Sequence, residues 1–181
     1  MHSAMSRISN AGALATTVLL TILALVSTTT LLLPNAIDSD ATTLRIHHLN
    51  VVKGRSQWDR RAKEREFAFV KFDLKADLKP LFNWNTKQVF VSLVADYSTP
   101  RHPENSVVVW DRIMPSARHA RLNIQDGRQK YEFKEISDSF ANVSATFSLH
   151  YQIQPHVGFL THGEIVTTEP IAFPPVRTRS Q

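Results

Sequence analysis

The chain is 181 residues long, 43% hydrophobic and 20% charged, with a formal charge of +5; this is a folding composition and excludes a wholly disordered chain. It has no cysteine, which excludes a disulfide framework, a thiolate zinc site and a cysteine nucleophile. The charge is unevenly placed, with no Asp, Glu, Lys or Arg between Arg7 and Asp38.

The first predicted element lies in that gap. Residues 11–33 form an uncharged run of 23 residues, about 34 Å of helix against a hydrocarbon layer of about 30 Å. Pro34 stops the helix, and Asn35, Asp38 and Asp40 return the chain to water. The run is longer than the apolar core of a signal peptide and lacks a small-x-small cleavage site near its end. A retained anchor is therefore expected, with residues 1–10 as a cytosolic tail, 11–33 as a transmembrane helix and 34–181 as a translocated body. Arg7, ahead of the run, sets that orientation. Ala13, Thr17 and Thr21 recur at spacing four, a pattern shared by helix-packing faces and by small residues merely tolerated in lipid.

The body predicts an all-β fold. Weaker strand signals cover 43–52, 106–113, 129–136 and 162–172, and stronger period-two alternation covers 67–78, 87–97 and 142–153. In the last of these, Val143, Ala145, Phe147, Leu149, Tyr151 and Ile153 share one face. Phe90 and Val94 make the second face of 87–97 partly apolar, so that strand is expected to be central. Residues 53–65 form a basic, solvated loop, and Trp58 to Glu66 allows a turn of helix without an apolar face. Turns are expected at Pro100 to Pro103, at Asp126-Gly127 and at 154–158. About seven short strands of this kind suggest a two-sheet antiparallel β-sandwich behind one N-terminal transmembrane helix.

Motifs for chemistry are scarce. No His-Glu-x-x-His, Gly-x-Ser-x-Gly or phosphate-cradling glycine loop occurs. His47 and His48 are adjacent on an expected strand and so should face opposite ways. No metal, cofactor or catalytic residue is assigned. Asp59 and Glu64 interrupt the basic stretch, and no nucleic-acid partner is expected. One triplet has a defined meaning: Asn142-Val143-Ser144 is an acceptor for N-glycosylation in a translocated domain.

The stretch Phe82 to Thr99 reads FNWNTKQVFVSLVADYST. It resembles the signature of the subunit 3 family of the endoplasmic-reticulum signal peptidase complex, through Phe82, Trp84, Asn85, Lys87, Gln88, Phe90, Leu93, Ala95, Tyr97, Ser98 and Thr99. Phe72-Asp73-Leu74, Ala76-Asp77-Leu78, Val108 to Asp111 and the triplet at Asn142 also fit. Residues 53–66 are more basic than the family pattern, and 154–163 fit it loosely.

The resemblance implies a single-pass type II glycoprotein of the endoplasmic-reticulum membrane, with its body in the lumen. It implies a non-catalytic accessory subunit that supports signal-peptide removal, the nucleophile and base belonging to another subunit. Implied partners are the other subunits, including the catalytic one, together with membrane lipid and nascent secretory chains. Candidate partner-interface residues are Asn83, Trp84, Asn85, Lys87, Trp110 and Asp111, although the tryptophans equally suit a core and the asparagines turns. A membrane-tethered lumenal binding module, acting as a cargo or chaperone adaptor, is the alternative.

Overall fold

The computed structural model describes residues 3–33, 37, 41–55, 63–135 and 139–176. Helix α1 covers Ala4–Leu31. The Ser3 hydroxyl caps it by accepting from the Ser6 amide at 3.3 Å. No residue of α1 is buried, and the helix is long and apolar enough to cross a membrane. An apolar helix left uncovered by its own protein needs lipid as its solvent. Its threonines fit that setting. Thr16, Thr17 and Thr21 each donate to the carbonyl four residues earlier, at 2.9 Å, which satisfies the hydroxyls without a partner helix.

The body is two antiparallel sheets. In the first, β2 (Arg65–Asp77) lies between β1 (Thr43–Gly54) and β5 (Arg121–Arg128), and β6 (Phe133–Lys134) also pairs with β2. In the second the order is β4 (Asn105–Met114), β3 (Thr86–Tyr97), β7 (Ser144–Pro155) and β8 (Thr161–Thr167), and β9 (Ile171–Ala172) also pairs with β7. Alternate residues of both sheets meet in one core, including Val70, Phe72, Leu74, Val91, Phe147 and Leu149. This is the expected sandwich of an all-β chain. β3 is central, and Val94 on its second face is 8% exposed.

Several expected boundaries shift. β5 occupies 121–128, where Asp126-Gly127 suggested a turn. Asp126 adopts a positive φ of 49° at a register slip opposite Phe72 and Leu74, so the pair forms a bulge inside the strand. The expected strand 129–136 shrinks to β6 because Gln129 replaces a stretch of ladder with its side chain. Its Nε2 donates to Ala68 O at 2.9 Å, and its Oε1 accepts from the Val70 amide. The span 162–172 divides into β8 and β9. Within the expected helical turn 58–66, residues 58–62 lie outside the described residues, while Arg65 and Glu66 begin β2. A bulge between Ile46 and His48 leaves both His47 and His48 exposed rather than on opposite faces.

The two ends of the sandwich differ. β3 starts and β7 finishes beside the last turns of α1, where Thr86 pairs with Pro155. The opposite end holds the 98–104 turn, Asn142 and an aromatic cluster of Tyr97, Phe133, Phe140 and Phe173. The 12 residues of β7 put about 37 Å between the two ends.

Candidate functional site

The residues expected at an interface fall in two places. Asn83, Trp84 and Asn85 belong to the turn that leads into β3, and Lys87 is the second residue of that strand, at the end that meets α1. Trp110 and Asp111 lie on β4, where Trp110 sits opposite Leu93. Seven positions of β3 separate Leu93 from Thr86, about 23 Å of strand.

The first place is a junction between the helix and the sandwich. Asn83 Oδ1 accepts from the Asn85 amide at 2.9 Å, and the Thr86 hydroxyl accepts from the Asn83 amide at 3.1 Å. This Asx turn drives the Asn85 side chain inward, where it is 2% exposed. Its Nδ2 donates to the Thr30 hydroxyl of α1 at 2.8 Å and to Val157 O at 2.7 Å. Its Oδ1 accepts from the Val157 amide at 3.1 Å, and its backbone carbonyl accepts from the His156 amide at 2.8 Å. One amide thus ties three segments together: the helix, the start of β3 and the loop after β7. Asn85 is committed to its own chain and does not present itself to a partner. Trp84, its neighbour, is 65% exposed, and Lys87 is also exposed. Asn83 is half-buried and lines a cleft with Ser27, Thr30, Leu31, Val157 and Phe159. Gly158 closes the junction. Its φ is +110°, and a Cβ there would stand 2.7 Å from the Ser27 hydroxyl oxygen. Conformation and space both require glycine.

In the second place, Trp110 is half-buried and meets Phe72 edge-on, with ring centroids 5.7 Å apart. Asp111 Oδ1 accepts from Lys130 Nζ at 2.7 Å and from the Tyr131 hydroxyl at 2.8 Å. The Lys130 and Tyr131 amides donate to Val109 O, so the segment after β5 covers the open edge of β4. Beside these groups Ile113 is 53% exposed and lines a shallow groove with Trp110, Arg112, Ile124 and Lys130. The patch combines an apolar floor with fixed charges, a composition suited to protein contact.

Lys130, and then the Tyr131 hydroxyl, hold the Asp111 carboxyl below its ordinary value of 3.8. Asp73 is lowered by the Asp126 amide and by His47, Asp77 by the Lys79 amide and by Arg121, and Asp126 by Lys71. A carboxylate lowered in the folded chain is protonated first in the unfolded chain as pH falls. The stability from these pairs is complete at neutral pH and is lost as pH falls below 3.8. Urea midpoints across the acid range should therefore drop for the natural chain. The gap between it and Asp111→Asn should close as the pH falls. A gap that widened in acid would show that Asp111 is not held in this way.

Asn142 lies in the turn just before β7, not on the strand itself. It is exposed, with a positive φ of 59° that asparagine tolerates well. Among the described residues, no group of three His, Asp or Glu gathers as metal ligands. The sequence reading missed Thr30, Val157 and Gly158. The one available signal was Gly158 itself, the last residue of the turn expected at 154–158.

Comparison with known proteins places this architecture. The family of signal peptidase subunits matches residues 1–176, taking in α1, both patches and Asn142. Signal peptidase complex subunit 3 of Saccharomyces cerevisiae is 42% identical over 134 residues, 74% of this chain and 70% of the yeast protein. The Schizosaccharomyces pombe protein of the same name is 38% identical over 125 residues, 67% of this chain and 68% of its own. That of Gallus gallus is 38% identical over 96 residues, 52% of this chain and 53% of its own. The chain belongs to the signal peptidase subunit family.

Proposed function

We propose that this chain is a non-catalytic accessory subunit of the signal peptidase complex, and that its sandwich holds the catalytic subunit at a fixed height above the membrane. The family match over residues 1–176 carries the first part of this reading. The Asn85 junction supports the second, because it joins the anchor to the sandwich by side-chain bonds instead of leaving a free tether. Peptide-bond cleavage depends on placing the scissile bond against the nucleophile. A rigid spacer contributes to that placement without doing chemistry. The partners are other subunits of the complex, the catalytic one among them, with nascent secretory chains passing close by. Exposed Ile113 and the groove beside Trp110 and Asp111 are the surface offered to them.

The same reading assigns residues 1–10 to the cytosol, 11–33 to the endoplasmic-reticulum membrane and 34–181 to the lumen, a single-pass type II arrangement. Asn142 then stands at the end of the sandwich remote from the membrane, exposed on a turn and open to a glycosyl donor. Glycosidase treatment should raise the gel mobility of the natural chain and leave Asn142→Gln unchanged. An unglycosylated natural chain from native membranes would contradict the lumenal placement.

Membranes depleted of the chain should accumulate uncleaved secretory precursors, and the restored full chain should clear them. Unaltered cleavage after depletion would remove the functional assignment.

A further inference from the structure

The end of the sandwich that meets α1 leaves three large apolar side chains uncovered. Trp84 is 65% exposed, Phe159 72% and Leu160 57%. All three are held at the junction. Trp84 lies between Asn83 and Asn85, and Phe159 and Leu160 directly follow Gly158, which packs on Ser27. The depth of that contact is informative. Ser27 stands four residues before the end of α1 at Leu31, about 6 Å of axial rise, and the uncharged run continues to Leu33. The loop therefore meets the helix alongside its last turn rather than above it. On α1 the least exposed side chains of this stretch, Leu23, Val26, Ser27 and Thr30, recur at helical spacing on one face.

Cations predominate at this end, where the acid Asp77 is already paired with Arg121 at 3.0 Å. Three segments meet there, 78–87, 114–121 and 154–163, and none of the three contains Asp or Glu. They carry the exposed cations Lys79, Lys87 and Arg118. Tryptophan at a membrane interface, aliphatic and phenyl groups just below it and lysine or arginine at the phosphates form the ordering that a bilayer surface selects.

We propose that Trp84, Phe159 and Leu160 form a wedge that enters the bilayer interface beside α1, with Lys79, Lys87 and Arg118 facing lipid phosphates. The sandwich then sits on the membrane at two points, the helix and the wedge, and cannot swing about a single stalk. This inference rests on α1 crossing the bilayer, and the test separates the two claims.

The full chain has no cysteine, so single cysteines report single positions. Spin labels are placed at Phe159→Cys, at Leu20→Cys within α1 and at Ser106→Cys near the far end of the sandwich. The labelled full chain is reconstituted in phosphatidylcholine vesicles containing phosphatidylserine. Oxygen, which concentrates in lipid, and a water-soluble nickel chelate compete to relax each label. The proposal expects position 159 to show an oxygen-to-nickel ratio several-fold above that at position 106 and of the same sense as that at position 20. A lipid-facing position 20 with a water-facing position 159 overturns the wedge and leaves the anchor standing. A water-facing position 20 overturns both. In native membranes, a photoreactive residue at 159 should yield lipid adducts. A dominant adduct to another subunit would make this surface a protein contact and overturn the proposal.

Discussion

Phe133→Ala should cost the sandwich about 3–5 kcal/mol, the range for deleting a phenyl ring from a packed core. Phe133 is 0% exposed although it belongs to a strand of only two residues. What holds it is aromatic packing rather than ladder hydrogen bonds. Its ring centroid lies 5.3 Å from that of Phe140, 5.5 Å from Tyr97 and 5.7 Å from Phe173, in tilted or edge-on contacts. These rings join β6, the end of β3, the turn before β7 and the segment after β9. Removing the central ring opens a cavity to which four segments contribute, and short strands have few other bonds with which to contract around it. Glu66 reinforces the same corner, since its carboxylate accepts from the Phe140 amide at 2.7 Å and from the Ser139 hydroxyl at 3.0 Å. Denaturant unfolding of the full chain in detergent checks the prediction. Phe69→Ala, which removes a ring that is 51% exposed, should stay within about 0.5 kcal/mol of the natural chain. Equal losses from the two substitutions would contradict the placement of the core.

Asn85→Ala should cost about 2–3 kcal/mol and lower Tm by about 5–10 °C, because it strips partners from groups that are shielded from water. The Val157 amide, Val157 O and the Thr30 hydroxyl each lose a bond. Asn85→Asp is the sharper variant. It keeps the acceptor that faces the Val157 amide but replaces the amide donor with an oxygen facing Val157 O, and a carboxylate at a 2% exposed position lacks compensating charge. It should be at least as harmful as alanine despite its matching shape. Trp84→Ala, one residue away and exposed, should leave Tm nearly unchanged. That contrast separates the internal latch from the outward surface beside it. An Asn85→Asp chain as stable as the natural one would show that the latch is not formed.

What could be read from the sequence follows the range of the forces involved. The apolar helix was legible because a bilayer imposes a length and a polarity on consecutive residues, and α1 takes in the expected run from residue 11 as far as Leu31. β2, β3 and β7 were legible because a half-buried strand writes its two faces as alternation, and each lies within two residues of its expected bounds. β5 was obscured by Asp126-Gly127, a pair that serves a hairpin turn or a bulge equally well. The choice between them depends on β2, some fifty residues away in the chain. Gln129 stands in for backbone with its side chain, and local patterning carries no sign of that.

The site shows the same limit. Asn85 was open to a partner-contact or a turn role, and asparagine is usually exposed. Its burial depends on Thr30 and Val157, 55 and 72 residues distant. Trp84 and Trp110 were equally open to a core or a contact role. Neighbouring turn geometry leaves Trp84 uncovered, whereas packing on Phe72 half-buries Trp110.

This chain works as part of a signal peptidase complex, with the chemistry supplied by another subunit. The most direct measurement is affinity purification of the tagged full chain from membranes solubilised in mild detergent, with the co-purifying proteins identified and quantified. The remaining signal peptidase subunits, the catalytic one included, should appear in a constant stoichiometric ratio to this chain. A varying collection of secretory cargo with no signal peptidase subunit would contradict that role.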